Sequence, residues 1–242
     1  MTDPASLPDP LGALLKAFSA AALVDLTHPL NAGIPVWPGH PRFCQEIVDS
    51  LDKGDISCLH ALSMGEHTGT HFDAPSHFIR KPGGWSISEA PLQRFFGRMA
   101  TLSMEGLASR AVVEPEAILA WEAKNGPIAR DDAVFFHFGW DRFWDDHPRD
   151  FLSNWPGLSA AACRLLVDRG VRIVGSDCLS IDAFGSADFA AHNILLGAGI
   201  LIGENFARLG TLPPLCFLAT LPLPIVNGSG SPLRAIAFAP SQ

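Results

Sequence analysis

A chain of 242 residues with 48% hydrophobic content can bury one sizeable core, and no linker-like stretch divides it. Residues 1–242 are therefore read as a single domain, with 1–22 as an N-terminal extension and helix. The formal net charge is -8 and Lys and Arg are scattered, which excludes a basic face for nucleic acid or for an anionic membrane surface.

The start, Met1 to Pro10, is rich in Pro and Asp and lacks the basic-then-apolar order of a signal peptide. Leu11, Leu14, Leu15 and Phe18 follow at helical spacing, so Leu11 to Ala22 is expected to form an amphipathic helix. A short strand, Leu23 to Thr27, comes next. Pro35-Val36-Trp37-Pro38-Gly39 is too proline-rich for a central strand and reads as a loop. A strand through Leu59 to Ser63 delivers the chain into a histidine-rich segment. Strand patterns at Arg98 to Ser103, Ala133 to Phe138 and Val171 to Gly175 then alternate with helix patterns at Pro115 to Lys124 and Ser159 to Arg169. Asn125-Gly126 and Gly170 stop the two helices. The last third offers a helix around Ala187 to Leu195 and strands near Ile200 to Gly203, Leu215 to Leu221 and Ala235 to Phe238. Alternation without a repeat predicts an α/β fold.

The segment His67-Thr68-Gly69-Thr70-His71-Phe72-Asp73-Ala74-Pro75-Ser76-His77 gathers three imidazoles and a carboxylate. These are ligands that borderline divalent metals prefer. In a regular strand, His67 and His71 would stand roughly 13 Å apart, too far to share an ion. Thr68, Gly69, Thr70 and Pro75 argue against a helix. A bend at Gly69, the residue best able to take a positive φ, followed by extended chain would point His71 and Asp73 the same way. The plainer alternative is a set of solvent-facing or satisfied core histidines. With no tyrosine in the chain, proton transfer falls to His, Asp, Glu, Lys, Cys or water.

Elsewhere the residues are less telling. His192, within a helix pattern, reads unaided as a core or capped group, and Glu204, after an apolar strand, as a surface acid. Trp37, between residues of a proline loop, is either a cover over the core or a contact for an aromatic ring. Asp177 and Asp182 follow a strand expected to be buried, and turn or capping roles suit them better than contacts to ligand histidines. The five cysteines are odd in number, form no Cys-x-x-Cys pair and read as reduced core thiols. No apolar run reaches the roughly 18 residues of a membrane span. A cytoplasmic enzyme is expected.

The histidine segment resembles the H-x-G-T-H-x-D-x-P-x-H signature of the cyclase family of metal-dependent hydrolases, and every fixed position is present. That family includes bacterial kynurenine formamidases and isatin hydrolases. The resemblance implies the swivelling β/β/α architecture, a mixed sheet curled into a barrel-like core with flanking helices. It further implies two divalent ions per chain, zinc first and manganese as the alternative. His67, His71 and Asp73 would hold one, Asp73, His192 and Glu204 the other, with Asp73 bridging. A water between two ions loses its proton near neutral pH and becomes a nucleophile. His77, outside the family's ligand set, would donate or accept protons, the alternatives being a third ligand or a structural role. Trp37 would lie against the substrate ring.

The implied activity is hydrolysis of an aryl amide, N-formylkynurenine to kynurenine and formate, by a homodimer. Isatin hydrolysis, or opening of another cyclic amide, lactone or carbamate, is the alternative. Gly139 to Trp155, with its tryptophans, resembles an insertion able to reshape the pocket. A metal-binding module without chemistry is the reading from another class. Nothing favours it, because His77 is retained.

Overall fold

The structure, a computed structural model, describes residues 9–240; the reading of Met1 to Pro10 falls mostly outside that span. In chain order the elements are α1 (Asp9–Ala20), β1 (Ala21–Asp25), β2 (Cys44–Asp49), β3 (Leu59–Ser63), β4 (His71–Asp73), β5 (Phe96–Ser103) and β6 (Val112–Val113). There follow α2 (Pro115–Asn125), β7 (Ala133–His137), α3 (Pro148–Phe151), β8 (Gly157–Leu158), α4 (Ala160–Arg169), β9 (Ile173–Ser176), α5 (Ala190–Gly197), β10 (Leu201–Glu204), β11 (Leu215–Pro222) and β12 (Gly230–Pro240).

The main sheet runs β1-β12-β11-β5-β7-β9-β10-β4, and a further pairing of β12 with β4 closes it into a barrel-like ring that leaves β1 outside. Closure is possible because β12 is long: Gly230 to Pro232 pair with β4, while Ile236 to Pro240 pair with β1. The strands β5, β7, β9 and β10 are mutually parallel, as crossovers through helices require, and the remaining pairings of the main sheet are antiparallel, while β6 and β8 form a separate parallel pair.

Alternation along these strands supplies two cores. Met99, Phe135, Ile173 and Leu201 point into the ring, where Phe72, Phe206 and Leu218 meet them. Ala100, Leu102, Val134, Phe136, Val174 and Ile202 point outward, under the helices. The helix α4 starts at Ser159, whose hydroxyl accepts from Ala162 N, and ends at Gly170 with φ 71. Both signals were legible in the sequence.

Three expectations shift. The first helix begins and ends two residues early, and none of its side chains is buried. The strand β2 was not anticipated; it pairs only with β3, in a two-stranded ribbon separate from the main sheet. Cys163, Cys178 and Cys216 are buried thiols as expected, but Cys44 and Cys58 are exposed, being carried by that ribbon and its turn.

Candidate active site

The bend lies where the sequence places it. Gly69 has φ 64, and a Cβ there would stand 2.6 Å from Leu30 Cδ2. Extended chain then forms β4, whose alternation turns Phe72 into the barrel and leaves His71 and Asp73 on the opposite face. Register brings in the next ligand candidate: Glu204 on β10 is the cross-strand partner of His71. Glu204 is 6% exposed, so the surface reading of this acid is overturned by its position in a central strand.

His192 arrives from α5. Asp182 accepts from the backbone N–H groups of Ala191 (2.9 Å) and His192 (3.1 Å), capping the helix, and meets His192 Nδ1 at 2.6 Å. The capping role expected of Asp182 and the histidine contact set behind it are therefore both present. With Nδ1 committed, His192 Nε2 faces Asp73 Oδ2 and Glu204 Oε1, each at 3.4 Å. His71 is fixed in the same way: Nδ1 donates to Gly69 O at 2.8 Å, and Nε2 lies 3.3 Å from Asp73 Oδ1 and 3.6 Å from Glu204 Oε2. His67 Nδ1 meets Asp73 Oδ1 at 2.6 Å, and its Nε2 meets Ser229 Oγ at 2.8 Å. Ser229 in turn donates from its backbone N–H to Glu66. Only a glycine at 230 admits that ring, since a Cβ there would stand 2.6 Å from His67 Cε1.

All five expected ligands thus converge from β4, β10, α5 and the bend before β4. Their donor set suits a divalent cation. Asp73 Oδ2 is buried with no hydrogen-bond partner, the orphan that a bound cation would satisfy. Charge balance agrees. Burial opposes ionisation of Asp73, yet the imidazoles of His67, His192 and His71 override it and hold the carboxyl well below its usual range. Burial likewise opposes protonation of His71 and His192, but Asp73, helped by Glu204, raises His71, and Asp182, helped by Asp73 and Glu204, raises His192. His71 and His192 are thereby biased towards the protonated form, which offsets carboxylates that a cation would otherwise neutralise. Three groups among the described residues have candidate ligand atoms within 4.8 Å of one another: His71, Asp73 and Glu204, and His67, Asp73 and His77, here, with His137, Asp141 and Asp177 elsewhere; both groups here contain Asp73, but they divide the histidines differently from the two expected ligand sets. His77, on the short turn after β4, lies 4.0 Å from His67 between ring centroids, so geometry allows it either role considered for it.

These groups floor a cavity of about 210 Å³ whose walls include Trp37, His40, Phe78, Leu179, Phe189 and Asn205. Trp37 stands in the wall, 6.3 Å from Phe189 and edge-on to Trp155 at 6.0 Å. Trp155, at the end of the segment read as an insertion, is buried and donates from Nε1 to Asp182 O at 2.8 Å, so that segment buttresses the wall. Phe78, Phe189, His40 and Asn205 were not singled out in the sequence. Phe189 adopts φ 47 and ψ 49, a left-handed conformation costly for a bulky side chain, at the start of the helix that carries His192. Asn205 Nδ2 donates to Gly69 O at 2.9 Å, tying the end of β10 to the bend. Its position directly after Glu204 was the one available signal. Asp177 accepts from Phe138 N and Trp140 N, the turn role expected of it.

A closed mixed barrel with an imidazole and carboxylate cluster at the bottom of an aromatic cavity defines a hydrolytic enzyme of α/β type. Residues 24–183 match the profile of the Cyclase family, described as "Putative cyclase", and the chain belongs to that family. It is similar to the kynurenine formamidase of Salinibacter ruber, 30% identical over 220 residues that cover 89% of this chain and 96% of that protein. The kynurenine formamidase of Erythrobacter litoralis is 29% identical over 214 residues, 88% of this chain and 91% of the relative. Among solved structures, isatin hydrolase A from Labrenzia aggregata bound to benzyl benzoate superposes with a TM-score of 0.89 at 33% identity, covering 96% of this chain and 100% of that one.

Proposed function

We propose that the chain is a metal-dependent hydrolase of aryl amides whose substrate is N-formylkynurenine, cleaved to kynurenine and formate. The observation that carries this reading is the meeting of an aromatic wall, Trp37, Phe78 and Phe189, with His67, His71, His192 and Glu204 in one cavity, Asp73 being buried against them. Kynurenine formamidase relatives spanning nearly the whole chain support it. His67, His71 and Asp73 would hold one divalent ion and Asp73, His192 and Glu204 a second, with zinc first and manganese as the alternative. Such ions lower the pKa of water and polarise a carbonyl oxygen.

The chain's own residues supply the rest. Burial, with the neighbouring imidazoles of His67, His192 and His71 adding to it, brings His77 down to about 4, against the pull of Asp73. A neutral imidazole accepts the proton that the attacking water releases and returns it to the amide nitrogen, a poor leaving group until protonated. The aromatic wall offers stacking area for the substrate ring and excludes water beside it. Among the described residues no helix is long and apolar enough to cross a membrane. The same reading places the enzyme in the cytoplasm as a homodimer, with a small molecule as its substrate.

Isatin is the second reading, favoured by the likeness to isatin hydrolases: the one from Ralstonia solanacearum superposes with a TM-score of 0.90 at 27% identity. The test is kcat/KM for N-formylkynurenine, isatin and an aliphatic formamide, in wild type and in Trp37→Ala. N-formylkynurenine should lead. The variant should lose roughly 0.5–1.5 kcal/mol on the aryl substrates beyond lost area, and little on the aliphatic one. Isatin well ahead would transfer the assignment to isatin hydrolysis, and equal loss on every substrate would reduce Trp37 to packing.

A further inference from the structure

Two neighbouring parallel strands leave the main sheet with titratable side chains that the cavity does not use. The register of β7 against β9 sets Phe136 beside Ser176, so the next residues, His137 and Asp177, emerge side by side at the carboxyl ends of the strands, where α/β sheets open crevices. Asp141 joins them from the short turn after β7. One candidate ligand atom of each lies within 4.8 Å of the other two. None of the three lines the cavity around the Asp73 cluster.

Both carboxylates are oriented by the backbone, and neither is neutralised by a fixed cation. Asp177 accepts from Phe138 N at 2.9 Å and Trp140 N at 2.7 Å, and Asp141 accepts from Arg208 N at 2.8 Å. Among the described residues no lysine or arginine side chain pairs with either acid. Burial lifts Asp177 to about 6 against the Phe138 N–H, and the Asp141 carboxylate adds to the rise. A bound cation would reverse that. His137 is 8% exposed, and its ring presses on Gly210, where a Cβ would stand 2.5 Å from Cε1. No described residue hydrogen-bonds the ring. Its Nε2 stands 4.0 Å from Asp177 Oδ2, too far for a hydrogen bond. Two ligands of one ion, each at about 2.0–2.2 Å, stand up to roughly 4.4 Å apart. The gap has the width that a cation fills.

We propose that His137, Asp141 and Asp177 bind a further divalent cation, zinc or manganese, apart from the cavity. One imidazole with two carboxylates suits these ions better than calcium, which prefers an all-oxygen shell. Hydrogen bonds to ligating carboxylates are the outer contacts that fix metal ligands in place. Asp141 is half-buried, so water completes the shell on its side. The ion braces the fold rather than reacting. It ties the ends of β7 and β9 to the start of the segment Gly139 to Trp155, whose far end donates from Trp155 to Asp182 O, behind the His192 ring. The cavity wall is thereby held from outside.

Metal content, read without reference to turnover, tests this. Protein stripped with a chelator and dialysed against zinc should hold one ion more per chain than Asp141→Asn treated alike. The same difference of one should appear in an Asp73→Ala background, where the cavity ions are lost. A wrong assignment of the cavity ligands would change the totals and leave the difference. Asp141→Asn keeps an acceptor for Arg208 N, so circular dichroism should be unchanged while this ion is weakened at least about 100-fold, the upper end of what loss of an outer contact costs. His137→Phe, which keeps a ring beside Gly210, should lose the same ion. His147→Asn is the control, because His147 and Asp150 form an exposed pair 3.9 Å apart that could gather zinc adventitiously, and it should leave the ion in place. Equal metal content in Asp141→Asn and wild type would overturn the proposal. So would an ion kept by His137→Phe or lost in His147→Asn.

Discussion

At the scale of single residues, the chemistry of the cavity turns on what each imidazole is free to do. His71 and His192 each spend Nδ1 on an oxygen, Gly69 O and an Asp182 carboxylate oxygen, leaving Nε2 for the cluster. His77 has no such commitment and faces the open cavity. His77→Asn should therefore keep its fold and its metal while kcat falls by roughly 10²–10⁴, the usual worth of a proton-transfer group. Purification of that variant without metal would move His77 into the ligand set. A second histidine matters to stability instead. His28 stacks on Trp144 with ring centroids 4.0 Å apart, and its Nε2 is buried without a partner. Burial brings it down to about 4 from 6.5. The unfolded chain therefore binds this proton more readily, and stability falls as pH drops from about 6.5 towards 4, with no further loss from this group below that. His28→Asn should remove that share of the slope, of order 3 kcal/mol over the window. Urea titrations at several pH values would show it, and parallel curves for variant and wild type would refute it.

At the scale of elements, the site is assembled by register and capping. The strand β4 is only three residues long, yet it pairs on one side with β10 and on the other with β12. A one-residue slip would turn His71 and Asp73 into the barrel and Phe72 into the cavity. The helix α5 depends on Asp182, which caps its N-terminus and orients the His192 ring. Asp182→Ala should lower stability by about 1 kcal/mol through the lost cap and weaken metal binding roughly 10–100-fold through the freed ring. Metal affinity equal to wild type, measured by competition with a chromophoric chelator, would show that the contact does not position the ligand. Element boundaries were legible where local chemistry sets them, as at Ser159, Gly170 and the proline that begins α2. The ribbon was half legible. Its strand β3 reads as apolar chain, whereas β2, with Gln45, Glu46 and Asp49 among its residues, has no pattern that a buried strand would impose.

At the scale of the whole molecule, the sequence carried as much of the site as lies close together in the chain. His67, His71, Asp73 and His77 fall in one segment, and their spacing contained both the bend and the shared face. His192 and Glu204 needed the family resemblance, because a histidine on a helix and an acid after a strand look ordinary until β10 pairs with β4. Phe78, Phe189 and Asn205 acquire their roles only from tertiary placement, and the left-handed backbone of Phe189 leaves no mark in residue type. The barrel-like core came likewise from the resemblance, and the strand segment that closes it was missed, since Gly230 to Pro232 look like a turn and pair with β4 only in the folded chain. What the closed barrel produces is one centre in which Asp73 belongs both to the cluster of His71 and Glu204 and to that of His67 and His77. The most direct test is to strip the protein with a chelator and titrate divalent zinc back while following hydrolysis of N-formylkynurenine and metal bound per chain. Activity should be absent in the stripped enzyme and rise to a plateau at two ions per chain, and Asp73→Ala should bind neither ion tightly and stay inactive. Full turnover by metal-free protein, or an Asp73→Ala variant that loads both ions, would contradict the account.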